Sequence, residues 1–290
     1  MGGCRTPSPG RLDRPAGESE YLRGRGDKLT VTAKQGALGG VATASTYDRI
    51  GVGYHGTRCT DPELARAIWA ALGDARTVLN VGAGTGSYEP QDRQWVLAVE
   101  PSQVMIAQRP ACAAPVIRAS VESLPLAERS VDAAMAILTV HHWSDLEAGV
   151  RELVRVVRDR IVIATMDVEV IAQLWIVRDY LPELLGQHAR FPSIDRLRQL
   201  LPNPRSEVLP VPRDCEDGFM AAFWARPEAY LDPAVRAATS PWHDLPAAVI
   251  DRAMTRLRED LDSGEWSRRY SDLLARKELD VGLRLITATF

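Results

Sequence analysis

The chain is short of cysteine, of long apolar runs and of net charge, and each shortage argues against a class of protein. Its four cysteines are sparse and form no Cys-x-x-Cys pair, which argues against a structural zinc site and fits a reducing cytoplasm. No apolar run reaches the roughly 20 residues that span a membrane, and the N-terminus lacks the apolar core of a signal peptide. A net charge of -3 gives no reason to expect nucleic acid as a partner. We therefore expect a cytoplasmic protein that binds neither membrane nor nucleic acid.

Residues 1–44 differ from the rest of the chain, because they are rich in Gly, Arg, Pro and Ser. This composition predicts a flexible arm, in which residues 18–22 could start a short helix on a partner. The excess of basic over acidic residues in the arm is too small to indicate binding to DNA or lipid. Exchange of such an arm between subunits is a low-cost route to assembly, so a homo-oligomer formed through the arm is a hypothesis.

The remainder alternates apolar runs with helical patterns. Asp61 and Pro62 form a helix start, and Leu64, Ile68, Trp69 and Leu72 then recur at helical spacing up to Gly73. Predicted strands occupy residues 77–81, 96–99, 115–118, 131–140 and 160–165, with further strands at 207–211 and 281–289. Helices are predicted at 145–157, 168–182, 193–201 and 245–261. Strands that alternate with helices predict a parallel sheet covered on both faces.

Three glycines spaced two apart are the most informative feature of this pattern. Gly82, Gly84 and Gly86 end the run 77–81, and Glu100 ends the next apolar run. Glycine allows positive φ and lets a ligand approach the backbone, where a Cβ would clash. A carboxylate at the second strand tip can accept two hydrogen bonds from a ribose diol. The sequence therefore predicts a site for a nucleoside-containing cofactor.

Two features argue against a dinucleotide. A dinucleotide site prefers glycine or alanine at the sixth position of the loop, which is Ser87 here, and a helix N-terminus against the pyrophosphate. The segment 88–94 contains Pro90 and is too short for a regular crossover helix. Further downstream come the blocks Val121-Glu122-Ser123-Leu124-Pro125, Ser130-Val131-Asp132 and Ile137-Leu138-Thr139-Val140-His141-His142-Trp143.

In this order, the glycine loop, the strand-tip acid and these blocks resemble class I S-adenosylmethionine-dependent methyltransferases, in particular the small-molecule branch related to ubiquinone/menaquinone C-methyltransferases. The resemblance covers residues 47–167 well and the rest loosely. It implies an α/β fold with a Rossmann-like, seven-stranded, mostly parallel sheet, helices on both faces and an antiparallel last strand. It also implies a methyltransferase domain over residues 45–290, with substrate-covering elements mainly in 168–265.

The resemblance further implies S-adenosyl-L-methionine as the cofactor and assigns residues to it. The glycine loop would line the methionine and ribose portion, Glu100 the ribose hydroxyls, and Glu122 and its neighbours the adenine. The implied cofactor residues are Tyr47, Gly82, Ala83, Gly84, Gly86, Glu100, Pro101, Ser120, Val121, Glu122 and Thr139. Two departures are evident: Ser120 stands where relatives usually carry aspartate, and the first crossover is shorter than usual.

The acceptor side is indicated by residues just past the fourth predicted strand. His141, His142 and Trp143 lie where ligands bind in open parallel sheets, and either histidine could be a general base or simply shape the pocket wall. Asp132 is interpreted as a structural residue that opens strand four. The candidate substrate-binding residues are Tyr54, His142, Trp143, Trp175, Tyr180, Phe219, Phe223 and Trp224. We expect no metal, because no acidic cluster is evident.

Several functions stay open at this point. One is O- or N-methylation of a small molecule, with a histidine taking the proton, and another is C-methylation, with aromatic rings steadying a cation. The high Arg, Ala and Gly content and the arm suggest a high-GC bacterium, where such chains often tailor natural products. A prenylated indole or terpenoid is one candidate acceptor. The rivals are a nicotinamide-dependent oxidoreductase, disfavoured by Ser87 and the short crossover, and a non-catalytic cofactor-binding protein.

Calorimetric titration separates these classes. We expect S-adenosylhomocysteine to bind and NADH to give no measurable heat, because the loop lacks a helix N-terminus for a pyrophosphate. Tight binding of NADH without binding of S-adenosylhomocysteine would contradict the methyltransferase interpretation.

Overall fold

The structure is a computed structural model that describes residues 18–22, 28–32, 48, 58–93 and 95–290. Its strands are β1 Glu18–Leu22, β2 Lys28–Thr32, β3 Thr77–Val81, β4 Trp95–Val99, β5 Val116–Ile117, β6 Val131–Ile137, β7 Val157–Met166, β8 Arg205–Val208, β9 Val211–Pro212, β10 Glu278–Leu279 and β11 Leu283–Thr289. Its α-helices are α1 Pro62–Ala71, α2 Gln103–Ala107, α3 Leu146–Val156, α4 Val168–Ile171, α5 Ile194–Leu200, α6 Pro233–Ala237, α7 Ser240–His243, α8 Ala247–Asp262, α9 Glu265–Arg269 and α10 Ser271–Leu274.

Seven of these strands form one sheet, in the order β5-β4-β3-β6-β7-β11-β8. Strands β3 to β7 run parallel to one another, and β11 is antiparallel to both of its neighbours, β7 and β8. The predicted fold, a mostly parallel seven-stranded sheet whose last strand is antiparallel, is therefore confirmed. All five residues of β3 are buried, as expected for a central strand covered on both faces.

The two faces of the sheet carry separate cores. Val78 and Met135 pack with α1 and the C-terminal elements, whereas Leu79 and Ala134 pack with α3 and α5. Successive side chains of a strand point to opposite faces, so adjacent residues of β3 and β6 enter different cores. This arrangement leaves the carboxyl ends of the parallel strands as the edge at which loops meet.

Helix α1 shows how closely local signals determine an element. The Asp61 side chain accepts hydrogen bonds from the backbone N–H of Glu63 and of Leu64, each at 2.9 Å. Pro62 occupies the first turn, where its missing N–H costs nothing. Gly73, with φ of +55°, follows the helix in a left-handed conformation that glycine adopts without strain.

The strand predicted at 207–211 is divided between β8, which ends at Val208, and β9, which pairs with β10 in a separate sheet. Three other predicted elements differ in the structure. The strand predicted at 131–140 ends at Ile137, because Leu138 has φ of +52° and a 3₁₀ turn follows at Val140–His142. The helix predicted at 168–182 is divided into α4, a π-helical turn at Ile176–Tyr180 and a 3₁₀ segment at Pro182–Arg190. Pro182 has no N–H with which to continue the π-helical turn.

The third difference lies in the arm. Residues Glu18–Leu22, predicted as a short helix, form β1 and pair antiparallel with β2. The other residues of 1–44 lie outside the described part of the chain. Among the described helices, none is both long and apolar enough to cross a membrane.

The burial of core residues predicts that two substitutions by alanine differ in their effect on the free energy of unfolding. Leu153→Ala should lower the free energy of unfolding by about 2–5 kcal/mol, because Leu153 is fully buried on α3 and its removal leaves a cavity. Val208→Ala, on the exposed edge strand β8, should change it by less than about 0.5 kcal/mol. Denaturant unfolding of both variants measures the difference, and equal effects would contradict the assignment of this core.

Candidate active site

The glycine loop follows β3 at the carboxyl edge of the sheet. Gly82, Gly84 and Gly86 have φ of +62°, +52° and +101°, a region that residues with a Cβ rarely adopt. A Cβ on Gly82 would overlap the side chain of Thr139, which lies just past β6. The structure thus brings together two of the predicted cofactor segments, and glycine is required where they touch.

Glu100 lies directly beneath this loop, at the end of β4. Glu100 is only 4% exposed, and its carboxylate accepts hydrogen bonds from Gly84 N–H at 2.8 Å and from Ser102 N–H at 2.9 Å. Burial raises the pKa of Glu100 above its ordinary value of 4.5, and the two backbone hydrogen bonds oppose that rise. Each carboxylate oxygen keeps a lone pair, so both can accept from the two hydroxyls of a ribose. This donor and acceptor pattern fits a nucleoside cofactor.

A segment from the N-terminal side reaches the same place. The Asp48 carboxylate accepts from the Ser102 hydroxyl at 2.6 Å and from Val104 N–H at 3.4 Å, at the start of α2. Tyr47 and Tyr54, the predicted lid and substrate residues, lie outside the described residues. Asp48 itself bonds to Ser102, two residues after Glu100.

The crossover from the glycine loop to β4 contains no helix in its described residues, 82–93. A buried ion pair holds it instead. Arg109 Nη2 lies 2.6 Å from Glu89 Oε1, and Arg109 Nη1 donates to the Gly84 carbonyl at 3.1 Å. Asn80 Nδ2 and Ala114 N–H also donate to Glu89, at 3.2 and 2.8 Å. These residues were missed from sequence, although Asn80 within an apolar strand and the short crossover are signals of such an arrangement.

Tyr88 extends this network to the other side of the site. It has φ of +64° and is buried, and all of its polar groups are bonded. Its hydroxyl donates to Asp217 Oδ2 at 2.9 Å, its N–H donates to Thr60 Oγ1 at 3.0 Å, and its carbonyl accepts from Trp69 Nε1 at 2.8 Å. Burial and the neighbouring Asp217 carboxylate raise the pKa of Tyr88.

Asp217 is fully buried and is shared by two partners. Arg58 donates to it through Nε at 2.5 Å and through Nη2 at 3.1 Å. The loop around Asp217 is also held by Asp61, whose second carboxylate oxygen accepts from Glu216 N–H at 3.0 Å. No local pattern in the sequence indicated that Arg58, Tyr88 and Asp217 would meet.

The predicted adenine segment is placed on a 3₁₀ turn at Val121–Ser123. Val121 is buried, and the Ser120 side chain makes no capping hydrogen bond there. Glu122 instead accepts from Ser144 N–H at 2.8 Å and from the Ser144 hydroxyl at 2.9 Å, which secures the loop that follows β6. The Pro101 carbonyl accepts from Arg118 Nε at 3.2 Å.

Asp132 has the structural role predicted for it. Its carboxylate accepts from the backbone N–H of Arg76 and of Thr77, at 3.0 and 2.9 Å, and from Arg158 Nη1 at 3.0 Å. Partial burial opposes ionisation, but hydrogen bonds from Thr77 and Arg158 outweigh it and lower the pKa of Asp132. These contacts tie the start of β6 to the start of β3, away from the carboxyl edge.

A largely apolar cavity opens beside the ends of β6 and β7. The C-terminal part of the chain supplies most of its wall. The lining residues are Arg58, Leu138, His141, Met166, Val168, Ile171, Leu184, Phe191, Phe219, Met220, Ala221, Thr239, Ser240 and Pro241. Leu138 immediately precedes Thr139, whose side chain lies against Gly82 of the glycine loop. The position and apolar wall of the cavity are typical of a pocket for a small organic molecule.

Of the two predicted histidines, only His141 lines this cavity. Its ring stacks on Phe191, with the ring centroids 4.3 Å apart and the planes at 20°. His142 is exposed, and its ring lies 3.9 Å from that of His141, outside the lining. Trp143 is half-buried and packs on α3, where a Cβ on Gly149 would lie 2.7 Å from the indole.

Among the five aromatic residues predicted for the acceptor pocket in the C-terminal part, Phe219 lies on the cavity wall. The structure places Trp175, Tyr180, Phe223 and Trp224 in the core, outside this lining. The Trp175 ring meets the edges of Tyr180 and Trp266 at 5.7 and 5.2 Å, and its Nε1 donates to the Trp224 carbonyl at 2.8 Å. These four aromatic side chains therefore contribute to the buried core of the C-terminal half of the chain.

No group of metal-ligating side chains is found among the described residues. The chemistry that this part of the chain can supply is thus hydrogen bonding to a nucleoside, an apolar acceptor cavity and one histidine on its wall.

Comparisons with known proteins agree with this geometry. The family model described as "Methyltransferase domain" matches residues 79–163. A solved structure from Anabaena variabilis ATCC 29413, named as a methyltransferase from an antibiotic biosynthesis pathway, is 34% identical, with a TM-score of 0.76 over 81% of this chain and 99% of that one. A phosphoethanolamine N-methyltransferase of Haemonchus contortus, solved with S-adenosyl-L-methionine, shares the fold at 13% identity and a TM-score of 0.52, over 90% of this chain and 62% of that one. No protein of curated function matches.

Glu100 gives a test of the nucleoside site. Glu100→Ala should weaken binding of S-adenosylhomocysteine by about 1.5–3 kcal/mol for each charge-assisted hydrogen bond lost, as measured by calorimetry. Glu207→Ala, which removes an exposed carboxylate from β8, serves as the control and should leave the affinity unchanged.

The same residue predicts a pH dependence. Because the pKa of Glu100 is raised, protonation should begin above the pH expected for an ordinary glutamate, and affinity should fall as the pH is lowered through that range. The Glu100→Gln variant should lose this dependence. A wild-type affinity that is constant down to pH 4.5 would contradict the role of the carboxylate.

Proposed function

Because the chain belongs to the class I S-adenosylmethionine-dependent methyltransferases, we propose that it methylates a small, largely apolar molecule held in the cavity beside His141. One observation carries this proposal. The apolar cavity begins at Leu138, one residue before Thr139, whose side chain contacts the glycine loop. An acceptor in the cavity would therefore lie next to the methionine end of the cofactor, where S-adenosyl-L-methionine supplies an electrophilic methyl group on its sulfonium.

We propose that the loop residues Gly82, Ala83, Gly84 and Gly86 hold the methionine and ribose portion of this cofactor. The buried Glu100 carboxylate, with a free lone pair on each oxygen, supports the ribose assignment. Thr139 would close the methionine side, and Pro101 would continue the turn below the ribose. Tyr47 stays a predicted lid, supported by the contact of its neighbour Asp48 with Ser102.

The adenine would lie against Ser120 and Val121. The hydroxyl of Ser120, which makes no capping hydrogen bond, can accept from the adenine amino group in place of the aspartate of relatives. Glu122 would act through the backbone, because its carboxylate is bonded to Ser144. This assignment makes Glu122 a residue that positions the loop carrying His141.

His141 is the proposed general base for an O–H or N–H acceptor. Its ring is on the cavity wall and is held by stacking on Phe191, whereas His142 is exposed and lies outside the lining. An imidazole titrates near neutral pH, so it can take the proton that the acceptor loses as the new bond forms. The apolar wall excludes water and aligns the acceptor, which is most of what such a displacement requires.

C-methylation is the second candidate. Phe191 and Phe219 both lie on the cavity wall, and aromatic faces can steady a carbocation. A prenylated indole or terpenoid is the acceptor that this reaction would suit. The 34% identical protein is named for an antibiotic biosynthesis pathway, which supports a role in tailoring natural products.

The wider assignments follow from the same features. We place the methyltransferase domain at residues 45–290, with its substrate cover mainly in 168–265, because cavity residues from Val168 to Pro241 belong to that range. The three described cysteines are free thiols, which supports a cytoplasmic location. A homo-oligomer formed through the arm stays a prediction.

The two histidines provide a matched pair of variants. His141→Gln should lower turnover by about 10²–10⁴-fold for an O–H or N–H acceptor, because the base on the cavity wall is lost. His142→Gln should retain nearly full turnover. Methyl transfer from radiolabelled S-adenosylmethionine to a panel of apolar phenols and indoles measures both, with S-adenosylhomocysteine affinity as a check that the cofactor site is intact. Full activity of His141→Gln would rule out His141 as the base.

A further inference from the structure

The charges around the cavity limit what it can hold. Among the described lining residues, Arg58 is the single Arg, Lys, Asp or Glu side chain, and the other polar members are His141, Thr239 and Ser240. An arginine on an apolar wall would ordinarily select a ligand with an apolar body and an anionic group, because its guanidinium binds carboxylate and phosphate in a bidentate way. Whether the cavity selects an anionic ligand therefore depends on whether another group of the protein already neutralises the charge of Arg58.

Asp217 provides that compensation. Its two carboxylate oxygens receive Nε and Nη2 of Arg58, at 2.5 and 3.1 Å, which is the bidentate arrangement that an anionic ligand would need. Asp217 is fully buried, whereas the Arg58 side chain is 10% exposed, so the aspartate lies behind the arginine.

Asp217 is also held in place by contacts other than the one with Arg58. The Tyr88 hydroxyl donates to Oδ2 at 2.9 Å, and Asp61 fixes the preceding residue, Glu216, through its backbone N–H. A ligand anion could take over Arg58 only by leaving this buried carboxylate without its counter-charge, and an unpaired buried charge is strongly disfavoured.

We propose that Asp217 makes the cavity selective for electrically neutral acceptors and excludes carboxylates, phosphates and diphosphates of similar size. This inference rests on the proposed function, since it treats the cavity as the acceptor site. It narrows the acceptor class to neutral apolar molecules such as phenols, indoles and uncharged terpenoids. Asp217 is thereby a specificity-determining residue that acts through Arg58, without contacting the reacting atoms.

Two matched probes test the proposal on the wild-type protein saturated with S-adenosylhomocysteine. At neutral pH 2-naphthol is neutral and 2-naphthoate is an anion on the same ring system. Calorimetry should show 2-naphthol binding at least tenfold more tightly than 2-naphthoate. Equal affinities, or tighter binding of the anion, would overturn the proposal without any variant being made.

Three variants then assign the selectivity to Asp217. Asp217→Asn removes the counter-charge with little change in shape, and should shift the ratio of the two affinities at least tenfold towards 2-naphthoate. The double variant Arg58→Gln with Asp217→Asn should lose that gain. Tyr88→Phe loosens the same cluster but leaves the ion pair, so the ratio should stay at the wild-type value. A ratio that Asp217→Asn does not change, or that Tyr88→Phe changes equally, would contradict the charge mechanism.

The affinity for S-adenosylhomocysteine, measured separately, distinguishes failure of this inference from failure of the proposed function. If the protein binds S-adenosylhomocysteine but does not prefer 2-naphthol, the proposed acceptor class is wrong and the proposed function stands. The same conclusion follows if neither naphthalene probe binds. Loss of cofactor binding in the wild-type protein would overturn the proposed function itself.

Discussion

Glu89 receives hydrogen bonds from Asn80, from Arg109 and from the backbone N–H of Ala114, and the glycine loop depends on this buried carboxylate. In a sheet of this type a crossover helix usually supports the loop and points its N-terminus at the ligand. Here the described crossover has no helix, and buried charged side chains hold the glycine loop in place instead. A buried ion pair is costly to desolvate, and it stabilises only if its remaining hydrogen-bonding groups are satisfied, as those of Glu89 are.

The glycine loop and the cavity are joined by the same kind of interaction. Tyr88, two residues beyond Gly86, reaches Asp217, and Asp217 reaches Arg58 on the cavity wall. Polar networks of this kind are rigid when every member is bonded, and a change at one member is felt by the others. The glycine loop and the cavity wall are therefore positioned relative to each other by one buried cluster.

Local signals made most of the fold predictable. The Asp61 cap, the run of β3 and the glycines after it act within a few residues, and the strands they predicted are present. Contacts between distant residues were not predictable: Arg58 and Asp217 are 159 residues apart, and nothing in either neighbourhood indicates the other. Whether an aromatic residue lies in the core or on the cavity wall could not be predicted either, because it also depends on contacts between distant residues. Trp175 and Phe219 are both apolar, and only packing decides that one fills the core while the other faces a cavity.

The position of β11 has a consequence for how the protein is made. This strand is inserted between β7 and β8, so β8 can join the sheet only after Leu283–Thr289 has been synthesised. Until then the growing chain exposes the edge of β7, whose backbone groups can pair with another chain. Such late, non-local pairing is slow and leaves intermediates prone to aggregation. The nascent protein should therefore rely on chaperones during translation far more than its finished, well-paired sheet would suggest.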